Sequence, residues 1–414
     1  MALPLEGIKV LDFGQVAAGP VVGVILANLG ADVIKVEKIH GESMRRGMPE
    51  GIPWKAESEE GVDDVVWMSC NQGKRGLAVD LKKEKGREII CKLIEKADVI
   101  SHNFRPGAMH RMGLDYESVS KINPNIVYLN TYPYGDSGPM KNWAGGDAWI
   151  QGFGGVVALQ GTDSGGPYLA GPSVSDMAGV FWGVITVLTA LLARERTGIA
   201  QETITTLLGA TVYLQLPEFT DYLVAGKLNK KTGRGYRYSF PYGAYKAKDG
   251  DVVTFYGVGD SWKNFCQLLG LDSLTDDPRY DTQEKRVERR EELYPILDEA
   301  FSKKTRAEWQ QIFREAKMRV DPALDHSELV SHPQFSTLEM TKELEHPDHG
   351  KITMLGLPMK LSKMPLQAPL PPPLLGEHSR EILMEAGYSP GEIDDLMESG
   401  IISTPSRKAR IGRE

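Results

Sequence analysis

Short apolar segments with strand periodicity alternate with amphipathic helical segments in the first third of the chain, and this alternation strongly constrains the fold. The first unit has an apolar run at 8–13, a helical segment at 20–29 that stops at Gly30, and a second run at 32–37. Further strand-like runs lie at 76–81, 98–101 and 126–129, with helical segments at 82–96 and 116–122. Such alternation is typical of a mostly parallel, doubly wound α/β sheet, whose ligands bind beyond the carboxyl ends of the strands.

The character of the sequence changes further along the 414-residue chain, which is too long for one ordinary compact core. A glycine- and proline-rich stretch near Gly165 precedes a long apolar helix from Met177, and a second helical segment runs from 207 to 225. Residues 226–239 are basic and punctuated by glycine, as linkers are, and a hairpin-like unit at 244–255 then leads into charged helices. We therefore expect a second, smaller α+β domain after the large α/β domain.

Charge, cysteine and hydropathy patterns narrow the classes of partner. The net charge of −8 argues against nucleic acid as the main partner. The three cysteines are far apart and suggest neither disulfides nor a zinc site, which favours a reducing compartment, the cytoplasm. No signal peptide is visible, and the apolar run at 179–193 falls short of the roughly 20 residues that span a bilayer, so no membrane segment is expected. The histidines lack metal-binding spacing, so no metal is expected either.

A glycine-containing loop at 13–20 follows the first strand and opens a helix, where phosphate-binding turns occur. It lacks the full G-x-G-x-x-G spacing and has no Walker lysine, so a plain strand-to-helix turn is favoured. The interpretation of the chain as a nicotinamide-dependent oxidoreductase depends on this loop alone and is a distant alternative.

Cationic side chains flank two of the predicted strands. Lys74 and Arg75 precede one strand, and Arg105 and Arg111 follow another. Such side chains could hold the phosphates of a nucleotide-like ligand through charge-assisted hydrogen bonds. They could equally be ordinary solvated charge, and the residues alone leave both interpretations open.

Asp176 lies immediately before the long apolar helix, after Ser173 and Ser175. Serine or aspartate at such a position commonly caps a helix by accepting hydrogen bonds from its first backbone amides. The alternative is a carboxylate kept ionised at the positive end of a buried helix, which can act as a nucleophile. From position alone, capping is the favoured interpretation.

Taken in order, these segments resemble the class III CoA-transferases, the group that includes formyl-CoA:oxalate and carnitine CoA-transferases. The resemblance runs from about Leu5 to about Tyr388. Each segment is modest, but the ordered combination is specific. The segments are 5–13, 18–20, 29–37, 71–81, 97–113, Asp176, 190–198 with Gln201, and 373–378.

The resemblance implies a Rossmann-like large domain at 1–205, completed by residues 330–414, with a small domain at 226–329 and a linker helix at 206–225. It also implies an interlocked dimer in which two chains thread through each other. A homodimer is expected, and a hetero-oligomer with a paralogous subunit is the alternative.

The resemblance also implies the chemistry. Asp176 is the nucleophile, assisted by Asp147, with Gln15, Ala17 and Ala18 in the substrate pocket. Asp176 attacks a donor thioester to form a mixed anhydride and then an aspartyl-CoA thioester, from which CoA passes to an acceptor carboxylate. Coenzyme A and its acyl esters are substrates, and no permanently bound cofactor and no metal are required. The implied CoA contacts are Lys38, Lys74, Arg75, Asn103, Arg105, Arg111 and Met112.

The sequence departs from the formate- and oxalate-specific member of that group at several positions. Ala17 replaces a glutamine, with Gln15 nearby, and Asp147 replaces a glutamate. Ala200 replaces a glycine, and a glycine-rich lid is not evident around 250–260. These departures argue against oxalate and favour a larger carboxylate or a dicarboxylate.

Two other functions within the same superfamily are alternatives. A 2-methylacyl-CoA racemase needs a histidine beside the aspartate at position 147 for two-base proton transfer, and Gly146 stands there instead. A non-catalytic subunit of a hetero-oligomeric transferase would not need a nucleophile, and the presence of Asp176 argues against it.

Overall fold

The computed structural model describes residues 2–46, 63–162, 165–255, 261–367 and 370–405. The chain forms two compact units. Unit 1 comprises Met1–Gly154, Pro172–Leu214 and Ser336–Glu414, and unit 2 comprises Gly155–Gly171 and Gln215–Phe335. The domain boundaries expected from the sequence, at residues 205, 226 and 330, stay a prediction.

The described strands are β1 (Lys9–Asp12), β2 (Asp32–Glu37), β3 (Arg75–Val79), β4 (Val99–His102), β5 (Val127–Tyr132), β6 (Glu202–Thr206), β7 (Gly243–Ala247), β8 (Gly250–Phe255), β9 (Arg319–Pro322), β10 (Thr341–His346), β11 (Gly350–Leu355) and β12 (Ile402–Ser403).

The described α-helices are α1 (Ala18–Asn28), α2 (Val65–Ser69), α3 (Glu84–Ile94), α4 (Ala108–Arg111), α5 (Tyr116–Ile122), α6 (Asp147–Phe153), α7 (Val156–Leu159), α8 (Val174–Thr197), α9 (Leu207–Leu214), α10 (Leu216–Ala225), α11 (Ser261–Leu269), α12 (Gln283–Glu288), α13 (Arg290–Phe301), α14 (Arg306–Glu315), α15 (His326–Ser331), α16 (Pro333–Thr337), α17 (Ser379–Glu385) and α18 (Pro390–Glu398). Two 3₁₀ turns lie at Ser43–Arg46 and Asp272–Leu274.

Unit 1 is built on a seven-stranded sheet with the order β12-β3-β2-β1-β4-β5-β6. The pairs from β3 through β6 are parallel, and β12 joins the β3 edge in the antiparallel sense. The expected mixed α/β fold with a mostly parallel central sheet is therefore confirmed. The strand order reverses between β1 and β4, and in open α/β sheets ligands bind at such a point, beyond the carboxyl ends of the strands.

Alternating strand residues bury two cores, one on each face of this sheet. Leu11 of β1 packs with the apolar faces of α3, α17 and α18, whereas the adjacent Val10 packs with α1 and α8. Successive side chains of a strand point to opposite faces, so apolar residues are needed on both faces when helices cover both. This requirement explains the apolar runs that identified the strands in the sequence.

The apolar segment at 179–193 lies within the longer helix α8. Helix α8 is capped at its C-terminus by Gly198, which adopts a left-handed φ of 72°. Among the described residues, α8 is the one helix long and apolar enough to cross a membrane by length and composition. It packs against α1, β5 and β6, as core helices do, so this property is weak evidence for a membrane span.

The helical segment expected at 207–225 is two helices, α9 and α10, because the chain departs from helical geometry at Gln215. Sequence periodicity did not reveal this break, since apolar residues continue on both sides of it. The same periodicity also missed β6, whose Thr-rich sequence alternates only partly.

Unit 2 contains the antiparallel sheet β7-β8-β9, which includes the hairpin expected at 244–255. Its core is largely aromatic, with Tyr245 of β7, Phe265 of α11 and Phe301 of α13 all buried. The ring of Phe301 stacks on Tyr245 at 5.2 Å and meets Trp309 edge-on at 5.3 Å. A further antiparallel hairpin, β10-β11, lies in unit 1.

Candidate active site

A cavity of about 380 Å³ lies in unit 1 at the carboxyl ends of β1, β4 and β5, beside the point where the strand order reverses. The structure brings together here five of the residues expected from the sequence and the nucleophile candidate. The described lining residues are Gln15, Val16, Ala17, Ala18, Asn103, Phe104, Arg105, Thr131, Pro133, Ala144, Gly145, Gly146, Asp176 and Leu207.

Asp176 lies in the first turn of α8, whose N-cap is Ser173. The N-cap side chain makes no capping hydrogen bond. Among the described residues, no hydrogen bond or cation reaches the Asp176 carboxylate, and its electrostatic surroundings are set by burial and by Asp147. The capping role favoured by sequence position alone is therefore wrong for Asp176, and its carboxylate is left facing the cavity.

Asp147, the first residue of α6, provides the capping instead. Its Oδ1 accepts hydrogen bonds from the backbone amides of Ser175 at 2.8 Å and Asp176 at 3.2 Å. Its Oδ2 accepts from the Gln151 side chain at 2.5 Å, which fixes the carboxylate within α6. Asp147 thus holds the start of α8 in place and satisfies two amides that would otherwise lack partners. Its hydrogen bonds therefore fix the backbone of the turn that carries Asp176.

Burial, and secondly the negative charge of Asp147, raise the pKa of Asp176 from its ordinary value of 3.8 to about 6. A carboxyl group whose pKa is raised by folding favours the folded state when it is neutral. Ionisation of Asp176 therefore costs stability as pH rises from the unfolded-state value towards about 6.

Replacing Asp176 with asparagine is expected to stabilise the protein at neutral and higher pH. The gain in melting temperature over the native protein should be larger at about pH 8 than at about pH 4, because only the native protein has a carboxyl group to ionise there. Thermal unfolding of both proteins at the two pH values measures this difference. A gain of the same size at both pH values would contradict the raised pKa.

The loop between β1 and α1 forms one wall of the cavity, and it is packed too closely for side chains at two positions. A Cβ atom at Gly19 would lie 2.7 Å from Cγ of Asn103, and one at Gly14 would lie 2.7 Å from the backbone of Gly19. The glycines let Asn103 approach the loop, where its carboxamide exchanges two hydrogen bonds of 2.8 Å with the backbone of Gln15. Asn103, expected to contact CoA, thus also shapes this wall.

Lys74 and Arg75 are engaged in internal ion pairs. Lys74 is fully buried, and its ammonium donates to Asp12 Oδ2 at 2.7 Å and to three further oxygens, those of Pro20, Cys70 and Asn71. Arg75 pairs with Asp32, Glu381 and Glu385. Contact of these two side chains with CoA phosphates stays a prediction, but this geometry does not favour it, because their donors already have partners.

The remaining expected CoA contacts divide by position. Arg105 lines the cavity with Asp176. Lys38 and Arg111 are exposed outside the lining, after β2 and at the end of α4, and Met112 packs against the core under α4. Their contact with CoA stays a prediction.

Among the cavity residues that sequence reasoning did not predict, Val16 and Thr131 have unusual structural features. Val16 adopts a positive φ of 65°, which no sequence pattern signals for a β-branched residue. Thr131, at the end of β5, has a buried hydroxyl group for which the described residues provide no hydrogen-bond partner. A buried hydroxyl group without a hydrogen-bond partner lowers the stability of the fold, and Thr131 places such a group in the cavity lining.

Two further expectations from the sequence concern a glycine-rich lid and a metal site. The question of a glycine-rich lid at 250–260 falls partly on residues 256–260, which lie outside the described residues. In the ranges that the structure describes, no group of three His, Cys, Asp or Glu side chains is placed to hold a metal ion.

Comparison with known proteins identifies relatives over nearly the whole chain. The model of CoA-transferase family III matches residues 5–379. The chain is 33% identical over 407 residues to the succinyl-CoA:glutarate CoA-transferase of Mus musculus, covering 98% of this chain and 92% of the mouse protein. It is 30% identical over 419 residues to the formyl-CoA:oxalate CoA-transferase of Streptomyces avermitilis, covering 97% and 100%.

A solved structure shows the same architecture. The CAIB/BAIF family protein from Brucella suis superposes with a TM-score of 0.84 at 31% sequence identity. The match covers 93% of this chain and 100% of the Brucella protein.

Proposed function

The chain belongs to CoA-transferase family III and is a CoA-transferase, and from this premise we propose that it transfers CoA through covalent intermediates on Asp176. The donor is an acyl-CoA and the acceptor is a carboxylic acid. The observation that carries the proposal is the Asp176 carboxylate, which lines the cavity without a hydrogen-bonding or cationic partner among the described residues. A nucleophilic oxygen needs this freedom, because a carboxylate engaged in an ion pair is a weaker nucleophile.

In the first half of the reaction, an Asp176 carboxylate oxygen bonds to the carbonyl carbon of the donor thioester. The carbon–sulfur bond breaks, which gives a mixed anhydride and CoA thiolate. The thiolate then bonds to the carbonyl carbon of Asp176, and the anhydride carbon–oxygen bond breaks. The donor acid leaves as its carboxylate, and CoA stays on the protein as an aspartyl thioester.

The second half runs the same two exchanges with the acceptor. The acceptor carboxylate attacks the aspartyl thioester, which gives a new anhydride and CoA thiolate. The thiolate then attacks the acceptor's carbonyl carbon, and Asp176 is released as a carboxylate. One activated acyl group replaces another at each step, so no net proton or phosphate is consumed. Water must be excluded, since it would hydrolyse the anhydride.

Chemical trapping tests the covalent route. The protein is incubated with an acyl-CoA and treated with borohydride or hydroxylamine, and the modified residue is located by mass spectrometry. Modification at Asp176 is the expected result. Deuterium exchange at the acyl α-carbon without an adduct would instead indicate racemisation, and the absence of both would indicate a subunit that depends on a partner.

The racemase alternative gains no support from the cavity. Two-base proton transfer needs a second acid–base group opposite the first. Among the described lining residues, Asp176 is the titratable acid, and the position expected for a histidine is Gly146. His102, near this edge of the sheet, is buried outside the lining, and burial lowers its pKa to about 4.

We further propose a dicarboxylic acid as one substrate. Relatives named for succinyl-CoA and glutarate support this class, as do the departures from the oxalate-specific pattern. Within the described lining, Arg105 is the cationic residue, and it lines the same cavity as Asp176. A planar guanidinium binds a carboxylate through two parallel hydrogen bonds, and we assign to Arg105 the carboxylate that does not react.

Changing Arg105 to glutamine is expected to lower kcat/KM for glutarate by about 10- to 100-fold, the loss of a charged hydrogen bond of roughly 1.5–3 kcal/mol. Pentanoate, which lacks the second carboxylate, should lose little. Steady-state kinetics with both acids and one acyl-CoA donor measure the difference. The contrasting variant is Arg111→Gln, which alters an exposed cation outside the lining. An equal loss for both acids with Arg105→Gln would mean that Arg105 binds CoA instead.

An interlocked dimer and a cytoplasmic location remain proposals. Helix α10 supports an assembly, because Leu216, Tyr222, Leu223 and Val224 are all more than half exposed. Exposed apolar side chains in such number commonly mark protein–protein contacts.

A further inference from the structure

The cavity wall formed by residues 14–18 contains a backbone conformation that needs external support. Val16 has a φ of 65°, in the left-handed region that β-branched residues rarely adopt. The residue is 46% exposed, so close packing around it does not impose the conformation. Strained residues of this kind persist when surrounding contacts hold them, and they concentrate at functional sites.

Side chains from other elements bind each of the three peptide groups at the start of this loop. The Gly14 amide donates to Asp12 Oδ1 at 2.7 Å, and its carbonyl accepts from the Lys35 ammonium. Asn103 binds both backbone groups of Gln15. The Val16 amide donates to Glu42 Oε2 at 3.1 Å.

Lys35 and Glu42 form the buried part of this support. Their side chains are 1% and 3% exposed, and Lys35 Nζ lies 3.5 Å from Glu42 Oε1. The same Glu42 oxygen accepts from Trp67 Nε1 at 2.6 Å, so the carboxylate is held from a second direction. One oxygen of Glu42 thus faces the protein interior, and the other faces the strained residue.

A buried ion pair is an inefficient way to stabilise a fold, because desolvation offsets much of its attraction and apolar residues often do as well. Such pairs are better suited to specifying one conformation. Here the pair forms hydrogen bonds with the backbone on both sides of Gln15, at Gly14 and at Val16. These residues come immediately before Ala17 and Ala18 of the cavity wall.

We propose that Lys35 and Glu42 are positioning residues for the transfer reaction, which hold Val16 in its left-handed conformation. The wall at 15–18 is thereby fixed at the distance from Asp176 that attack on the thioester requires. The inference rests on the proposed function, since it assigns the pair a role in forming the aspartyl adduct.

The test is a double-mutant cycle between Glu42→Gln and Val16→Gly, measured by single-turnover formation of the Asp176 adduct. Glu42→Gln keeps the shape but removes the charge that pairs with Lys35. We expect the rate to fall by roughly 100-fold, because small displacements at a reacting centre have effects of that order. Affinity for acyl-CoA should change much less.

Glycine adopts positive φ without penalty, so it needs less support at position 16. The rate loss caused by Glu42→Gln should therefore be several-fold smaller in the Val16→Gly background than in the native one. Losses that simply multiply would overturn the proposal, because the two positions would then act independently. The proposal also fails if Glu42→Gln lowers only the melting temperature.

Two further variants separate an effect on the reaction from an effect on folding. If Glu42→Gln does not fold because Lys35 is left unpaired, the neutral pair Lys35→Met/Glu42→Gln replaces it in the same cycle. Asp98→Asn is the control. Asp98 lies just before β4, at the amino ends of the strands, and accepts hydrogen bonds from Arg194 and from the Lys9 amide. It should lower stability without changing the adduct rate.

Absence of an adduct in the native protein would refute the proposed function itself, whereas an adduct formed equally fast by Glu42→Gln would refute only this inference.

Discussion

Replacing Asp176 with alanine is expected to lower the rate of CoA transfer by on the order of 10⁴-fold or more, the scale on which removal of a covalent nucleophile acts. In the proposed mechanism the carboxylate forms both the anhydride and the thioester, and the described cavity lining offers no second carboxylate to replace it. Transfer of labelled CoA from donor to acceptor, with mass spectrometry of the protein, measures both consequences.

Two companion variants separate chemistry from folding. Asp176→Glu keeps a carboxylate but moves it by one methylene, so we expect a severe but smaller loss. Asp147→Asn removes the charge that holds the amides of Ser175 and Asp176, and it should reduce the rate without abolishing the adduct. A rate for Asp176→Ala within about tenfold of the native rate would rule out the covalent route, because no catalytic nucleophile is dispensable to that degree.

Replacing Lys74 with methionine is expected to destabilise the protein by about 3–5 kcal/mol, because it leaves a buried carboxylate without its cation. Asp12 is fully buried and lies 2.7 Å from the Lys74 ammonium, which also bonds three other oxygens. Urea unfolding of the native and variant proteins measures the change.

The matched control for that change is Lys38→Met, since Lys38 is an exposed lysine expected from the sequence to serve the same ligand. It should alter stability by no more than about 0.5 kcal/mol, as surface substitutions usually do. The double variant Asp12→Asn/Lys74→Met should lose less than the sum of the two single changes, because both charges are gone. Normal stability with lost CoA affinity in Lys74→Met would show that this lysine binds the ligand after all.

The strands of the central sheet and the helices that cover it could be predicted, because each shows its hydrophobic pattern within a short stretch of sequence. Residues 32–37 and 116–122 were identified to the residue. Val33, Ile34 and Val36 give the first segment its strand character despite the charged Lys35, and the second segment shows the apolar stripe of a surface helix. The antiparallel strand β12 was not identified, because two residues carry too little pattern to predict a strand.

The site was predictable in part, and for a different reason. Asp176, Arg105 and the loop at 15–18 follow predicted strands or begin a predicted helix, so their meeting at one edge of the sheet is a consequence of topology. The burial of Lys74 was not predictable, because a lysine before a strand looks the same whether it faces solvent or Asp12. Nor was the conformation of Val16, which depends on a contact from Glu42, a residue 26 positions further along the chain.

The antiparallel pairing of β12 with β3 bears on the order in which the protein is made. Ile402 pairs with Val79 and Ser403 with Ala78, so the outer edge of β3 is closed by residues near the end of the chain. Ribosomes add about 5–20 residues per second, so the roughly 300 intervening residues keep this edge uncovered for about 15–60 s after β3 emerges. During that interval the nascent sheet presents unpaired backbone groups that other strands can join. The β3 edge is therefore a place where the nascent chain can pair with the wrong strand before residues 402 and 403 are made.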